Sequence, residues 1–184
     1  VSFESGGYHL TFIQKEGNRD ESAHLYSLIF KFFSPHTNFK YIVRADYHEC
    51  DVFAIKFYVD QQKRSDYKYS IITNKGDTTN IIVTCAKVVP LLLVDYPNAS
   101  FAFAGSRSID KVSNKIESYY QTQRFVIYRD FAARFFGVET FEHFEYAEIS
   151  SYLLLNKGPG RIEDREKRIR QMFIETYNTL LDLT

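Results

Sequence analysis

The sequence predicts an α+β fold: an antiparallel sheet, a meander of three or more strands, packed against two central helices, with a further amphipathic helix at the C-terminus. Three observations predict it. Runs rich in β-branched and aromatic residues at 39–46, 52–59 and 67–73 are separated by polar clusters, the pattern of strands joined by short connections. Apolar residues then recur at helical spacing over 77–96 and again beyond 108. Finally, Ile162, Ile169, Met172, Phe173, Thr176 and Leu180 form an apolar stripe behind the turn-forming Lys157-Gly158-Pro159-Gly160. The chain therefore reads as one domain, 1–156, and a C-terminal helix, 157–184, joined by the Gly-Pro-Gly linker.

Residues 7–13 read as a short strand closed by Gly17-Asn18-Arg19-Asp20. Residues 23–33 fit either a helix ending before Pro35, with Asp20 or Ser22 as its cap, or a strand buried on both faces, because apolar side chains fall on every side. In 52–59, Ile55, Phe57 and Val59 alternate with Lys56 and Tyr58, which puts one sheet face on the core and leaves the other partly wet. Asn74-Lys75-Gly76-Asp77 breaks the chain, and Asp77 or Thr78 caps a helix carrying Ile81, Ile82, Cys85, Val88, Val89, Leu92, Leu93 and Tyr96. Pro90 should kink it, having no N–H to offer the preceding turn.

Residues 100–104 read as a short buried strand and Gly105-Ser106-Arg107-Ser108 as the turn after it. A long helix to Gly137 is expected next, with Ile109, Val112, Ile116, Tyr119, Tyr120 and Ile127 on one face and Arg107, Lys111, Lys115 and Arg129 opposite. That wheel leaves Phe125 and Phe136 near the basic face, to be covered by the chain or by a partner. Residues 144–155 read as a last strand or hairpin.

Composition narrows the function classes. The 184 residues include 23 Lys+Arg and 23 Asp+Glu, with 45% hydrophobic and 17% aromatic side chains. So apolar a chain is not disordered, and zero net charge argues against coating nucleic acid by bulk electrostatics. Locally the charges separate: residues 101–136 sum to 6 − 3 = +3 and residues 137–156 to −4. The runs at 81–83 and 88–94 are too short to span a bilayer, and no secretory signal is visible. Cys50 and Cys85, with no CxxC spacing, suggest a reduced, cytosolic protein and leave a disulfide between them open.

Thr73-Asn74-Lys75-Gly76-Asp77, Tyr96-Pro97-Asn98 and Ala104-Gly105-Ser106-Arg107 together resemble an uncharacterised family of small cytosolic Bacteroidota proteins, over roughly residues 55–155. The family pattern is a strand, an Asn/Gly/Asp turn, an apolar helix ending near Tyr-Pro or Phe-Pro, a short strand, and a Gly-Ser-Thr turn opening a helix with arginines. Arg107 stands where that pattern has Thr, and the helix that follows is less arginine-rich. The resemblance implies a fold and a compartment and carries no mechanism.

Three constellations are chemically suggestive. At the 105–108 turn, backbone N–H groups and Arg107 are suited to a phosphate or carboxylate, with Ser106 and Ser108 as caps and Lys111 and Lys115 extending the positive strip. His143 and Glu145 share a face if their segment is extended, giving a weak acid–base candidate. Tyr41, Tyr58, Tyr67 and Tyr69 with Arg44, Lys56 and Lys68 would form an aromatic and basic sheet face, although ordinary packing accounts for such residues equally well. His48-Glu49-Cys50-Asp51 reads as a hairpin turn and gives no metal site, since at most two neighbours in a strand converge. No cofactor motif is present. The expectation is a non-enzymatic protein-interaction or self-assembly module, with Phe125, Phe136, Ile169, Phe173 and Leu180 at its interface. The alternative is a nucleic-acid-binding or ribonuclease-like protein of a toxin or phage-defence system; a membrane partner is not expected.

Overall fold

A computed structural model describes residues 6–18, 24–70, 76–105, 109–110, 115–158 and 160–176. Four strands, β1 (Thr11–Gly17), β2 (Tyr26–Ser34), β3 (Phe39–His48) and β4 (Val52–Val59), form an antiparallel meander. The chain then leaves the sheet through α1 (Thr78–Ala86) and α2 (Val88–Asp95) and returns as β5 (Ser100–Ala104), parallel to β4. A small ribbon, β6 (Ile109–Asp110) with β7 (Lys115–Ile116), precedes α3 (Gln123–Phe135). The hairpin of β8 (Phe141–Tyr146) and β9 (Ser151–Asn156) completes a seven-stranded sheet in the order β1-β2-β3-β4-β5-β9-β8. α4 (Ile162–Thr176) ends the described chain. The fold is α+β.

Period-two patterning sorts the strands onto two faces. The first face carries Phe30, Phe32, Tyr41, Val43, Phe53, Ile55, Phe101 and Leu154, packed against α1, α2 and α3. A row of rings crosses it: Tyr26 on Tyr47 (4.9 Å), Tyr47 on Phe53 (4.8 Å), Phe53 on Phe101 (5.9 Å), Phe101 on Phe141 (6.0 Å) and Phe141 on Phe136 (6.0 Å). Tyr96, at the end of α2, joins it by contacts with Tyr47 and Phe53 and by a hydrogen bond from the Tyr26 hydroxyl (2.9 Å). On the second face Val52, Leu153 and Leu155 are covered by Ile169 of α4.

Of the two readings left open for residues 23–33, the strand holds, and several other expectations are corrected. Residues 26–34 are strand, buried on both faces along much of their length, which explains the apolar side chains all round. Residues 67–70 form turns, so the third run does not join the meander there, and 71–75 lie outside the described residues. The first strand is Thr11–Gly17, later than the 7–13 reading. The apolar helix divides at Lys87 and places Pro90 in the first turn of α2, where a missing N–H leaves no hydrogen bond unmade. Asp77 sits at the N-cap of α1 in the left-handed region (φ 66°), yet its carboxylate accepts no cap bond from the helix. It binds the Tyr8 and Ser34 hydroxyls (both 2.6 Å) and the Asn80 amide instead, stapling α1 to the sheet.

The long helix of 109–136 is shorter than expected. Residues 109–110 and 115–116 are extended, and the helix begins only after Thr122, whose side chain accepts from Phe125 N–H. Its buried side is therefore Phe125, Tyr128, Phe131 and Ala132. By length and hydropathy alone, Thr78–Asp95, with mean hydropathy 1.5, suffices to cross a membrane, contrary to the reading of its separate apolar runs; half of it is buried inside the domain. Cys50 and Cys85 are free, leaving no bond between them.

Gly105 closes the domain against α3. A Cβ there would lie 2.6 Å from Thr122 Oγ1 and 2.7 Å from Phe125 N. Gly105→Ala should therefore destabilise the protein by about 1–3 kcal/mol, as overpacking of a tight site does. Gly137→Ala, where a Cβ meets nothing within 4 Å, should be nearly neutral. Urea denaturation of the two variants checks the contrast.

Candidate functional site

The second face carries polar chemistry at its β1–β4 end. Asp46 projects there from β3 and is only 2% exposed. Its carboxylate accepts from the Ser27 hydroxyl (2.5 Å) and pairs with Lys56 (3.0 Å) and Arg44 (3.4 Å). Arg44 also reaches Glu16 of β1 (3.2 Å) and donates to Ser27 (2.8 Å). Burial pushes the Asp46 carboxyl upward, but Lys56, Ser27 and Arg44 outweigh it and hold the group below the usual carboxylate range. The rings of Tyr58 and Tyr69 meet edge to face (5.5 Å), and Lys68 lies 5.1 and 5.2 Å from their centroids. Burial raises the Tyr69 phenol to about 12, against the opposing pull of Lys56 and Arg44.

Five residues of the expected aromatic and basic face, Tyr58, Tyr69, Arg44, Lys56 and Lys68, are thus brought together. Tyr41 is not among them; it lies in the core of the first face. Tyr67 is 58% exposed. Sequence reasoning missed the two groups that organise the cluster, Asp46 and Ser27. Strand alternation was the available signal, since both fall on the face opposite Ala45 and Leu28, and a buried carboxylate there needs partners.

The other end of the second face belongs to α4. His48 of β3 is fully buried, its Nδ1 2.9 Å from the Asp46 carbonyl and its ring 5.3 Å from Phe173. Cys50, Arg165, Arg168 and Ile169 line a small cleft beside it. Burial raises the Cys50 thiol while Arg168 draws it down, and the net shift is upward, so the thiol is not activated as a nucleophile. Tyr146 donates to Glu166 of α4 (2.5 Å), and Arg165 donates to the Asn156 carbonyl.

Of the expected anion site, Ser106, Arg107, Ser108 and Lys111 lie outside the described residues. Lys115 is exposed on β7, opposite Asp110, rather than on a helix one turn beyond Lys111. The helix N-terminus that Gly105 approaches is that of α3, and its groups are engaged: Thr122 donates to the Gly105 carbonyl (2.8 Å) and Thr122 N–H to Ser150 Oγ (2.8 Å). Arg124, in the first turn of α3, donates to the Tyr69 carbonyl and lies 5.4 Å from the Phe57 ring centre.

His143 and Glu145 do lie two apart on β8. The close partner of His143, however, is Tyr152 on β9, with Nδ1 2.7 Å from its hydroxyl, while Nε2 is buried without a partner. Burial lowers the imidazole from its ordinary value and raises the Tyr152 phenol to about 12. Tyr152 is only 2% exposed, so the pair is a cross-strand brace between β8 and β9.

The expected interface is redistributed. Phe125 (fully buried) and Phe136 (6% exposed) lie in the chain's own core, because α3 starts later than the helical wheel assumed and its phase differs. Ile169 and Phe173 pack on the chain's own sheet, and Leu180 lies outside the described residues. Large exposed apolar side chains include Phe12 and Ile13 on β1 and Phe33 on β2, each 40% exposed or more, and others elsewhere such as Val94 and Val138. β1 is an edge strand, and a bulge between Phe12 and Gln14 leaves Ile13 with no partner on β2. Among the described residues no group of three or more His, Cys, Asp or Glu is placed to hold a metal.

Removing the Asp46 charge should be costly, because it leaves Arg44 and Lys56 without their buried counter-ion. Asp46→Ala is expected to destabilise by roughly 3–5 kcal/mol. Since the folded-state pKa of Asp46 is depressed, its contribution is complete above the unfolded value near 4 and is lost as pH falls through the lower folded value. Wild-type stability should thus fall below about pH 4 more steeply than that of the variant, measured by denaturant titration across pH.

No family model matches the chain, and comparison with curated proteins and with solved structures finds no match.

Proposed function

We propose that this chain is a non-enzymatic interaction module that self-associates through the open edge of β1. The observation that carries the reading is the exposed apolar end of that strand. Phe12 is 53% and Ile13 40% exposed, and Ile13 contributes nothing to the ladder with β2. An unpaired edge offers backbone donors and acceptors to another strand. Antiparallel pairing of two copies centred on Ile13 brings both pairs of apolar side chains together and removes them from water. Lys15 and Glu16 limit the length of such a pairing, because each is already engaged, over the Tyr26 ring (3.6 Å) and with Arg44 (3.2 Å). A cytosolic setting fits the two free thiols.

A second reading, binding of single-stranded nucleic acid, has the Tyr58, Tyr69, Lys56 and Lys68 cluster in its favour. Asp46 and Glu16 offset much of that positive charge, which makes it the weaker of the two.

Sedimentation velocity over a range of concentrations tests the first reading. The wild-type chain should self-associate, and Phe12→Asp combined with Ile13→Asp should stay monomeric while keeping its circular dichroism spectrum, because both side chains are exposed. A wild-type chain that remains monomeric throughout, or a variant that associates equally well, overturns it.

A further inference from the structure

We propose that the part of the second face where β2, β3 and β4 run side by side is a docking platform for single-stranded nucleic acid. Phe33 and Tyr58 are its stacking rings, and Lys31, Lys40 and Lys68 hold the phosphates. Strand alternation places these side chains. Phe30 and Phe32 of β2, Tyr41 and Val43 of β3, and Phe57 and Val59 of β4 belong to the first-face core. Lys31, Phe33, Lys40, Ile42 and Tyr58 alternate with them and so project from the second face. Register then orders them: Phe33 stands opposite Lys40, Lys31 opposite Ile42, and Ile42 opposite Tyr58. Two strand spacings across and two residues along separate the origins of the Phe33 and Tyr58 rings by roughly 12 Å.

Phe33 is 51% exposed. A ring held half in water, with one lysine across from it and another two residues along its strand, suits a base that carries phosphates: the ring takes the face of the base and the ammonium groups take the charge. Lys31 is exposed. The Lys40 side chain is 55% exposed and lies 4.0 Å from Asp60, which is itself one-third exposed, so water weakens that pair and leaves the ammonium able to attract a phosphate. At the other ring, Tyr58 meets Tyr69 edge to face (5.5 Å), and Lys68 lies 5.1 Å and 5.2 Å from the two ring centres. Asp46 is engaged with Lys56 and Arg44, and Glu16 with Arg44. Their offsetting charge therefore falls on Arg44 and Lys56, and the positive character of the face belongs to the Phe33 end.

The shape of the site selects the occupant. The exposure of Phe33 and Lys40 marks an open surface, whereas a small ligand is held in a concave one. Two rings this far apart are served by a chain that spans both. The chain is single-stranded, because a base must be unstacked to offer its face to a side chain. This deepens the second of the two readings above and does not depend on association through β1, since the platform lies on a face of the sheet and not at its edge.

Fluorescence anisotropy with labelled thymidine and uridine 12-mers, at 50 to 200 mM salt, tests it on the full chain. Both oligonucleotides should bind, and a duplex of the same length should bind at least tenfold more weakly. Three phosphate contacts give a log–log salt slope of about −2. Phe33→Ala removes a ring and no charge; it should weaken binding about tenfold and leave the slope unchanged. Lys31→Ala combined with Lys40→Ala should reduce the slope to about −0.7 with both rings in place. All three side chains are exposed, so both variants should keep the wild-type circular dichroism spectrum and urea midpoint. Anisotropy that stays flat at 50 mM salt with both oligonucleotides overturns the proposal and the second reading together. Binding that survives Phe33→Ala at full strength, or that is as tight to the duplex, overturns the platform alone. Loss of self-association in Phe33→Ala, without oligonucleotide binding by the wild type, makes the face a protein contact and overturns the proposal.

Discussion

The structure depends on a single row of aromatic rings laid across the first face of the sheet. It runs from Tyr26 on β2 through Tyr47, Phe53 and Phe101 to Phe141 on β8, and ends on Phe136 beyond α3. Rings supply the largest buried area per residue, and with no Trp in the chain Phe and Tyr carry that burden. The row also joins segments far apart in sequence, so strand order and helix placement are fixed by the same contacts. Tyr96 shows the economy of this arrangement. It ends α2, packs on two members of the row and accepts the hydroxyl of a third.

The second face is built on another principle. A helix covers part of it, and the remainder is organised around one buried carboxylate. Asp46 is tolerable only because Ser27, Arg44 and Lys56 converge on it, and Arg44 in turn ties the edge strand to the sheet through Glu16. Such a network adds little net stability over apolar packing, but it specifies register: a slip of one residue in β3 would send Asp46 into the aromatic row.

Much of this was legible from residue patterning. The strands Val52–Val59 and Ser100–Ala104 match the sequence reading at both ends, because turn residues flank them and apolar content is dense. At 67–70 the strand reading misled, since Tyr favours strands in general, whereas here Tyr69 is held in a turn by Arg124 on one side and a cation on the other. Ile109 and Ile116 fall at helical spacing by coincidence, and extending that phase forward put Phe125 and Phe136 on the wrong face. At the site, the aromatic and basic residues were legible by type. Their organiser, Asp46, could be placed by strand alternation on the face opposite Ala45 but not told from a solvated carboxylate, because its neighbours across the sheet are not written in its own strand.

Among the described strands the one parallel pair, β4 with β5, gives the sheet a polarity that its antiparallel remainder lacks. Both strands deliver their outgoing loops to the same rim. There the Tyr69 segment leaving β4 and Gly105 leaving β5 meet the opening turn of α3, one through the Arg124 guanidinium and the other through Thr122. The two loops are thereby yoked to a common post: a lengthened or shortened connection after either strand pulls on α3 and, through it, on the other. Sequence drift at this rim is consequently constrained in pairs.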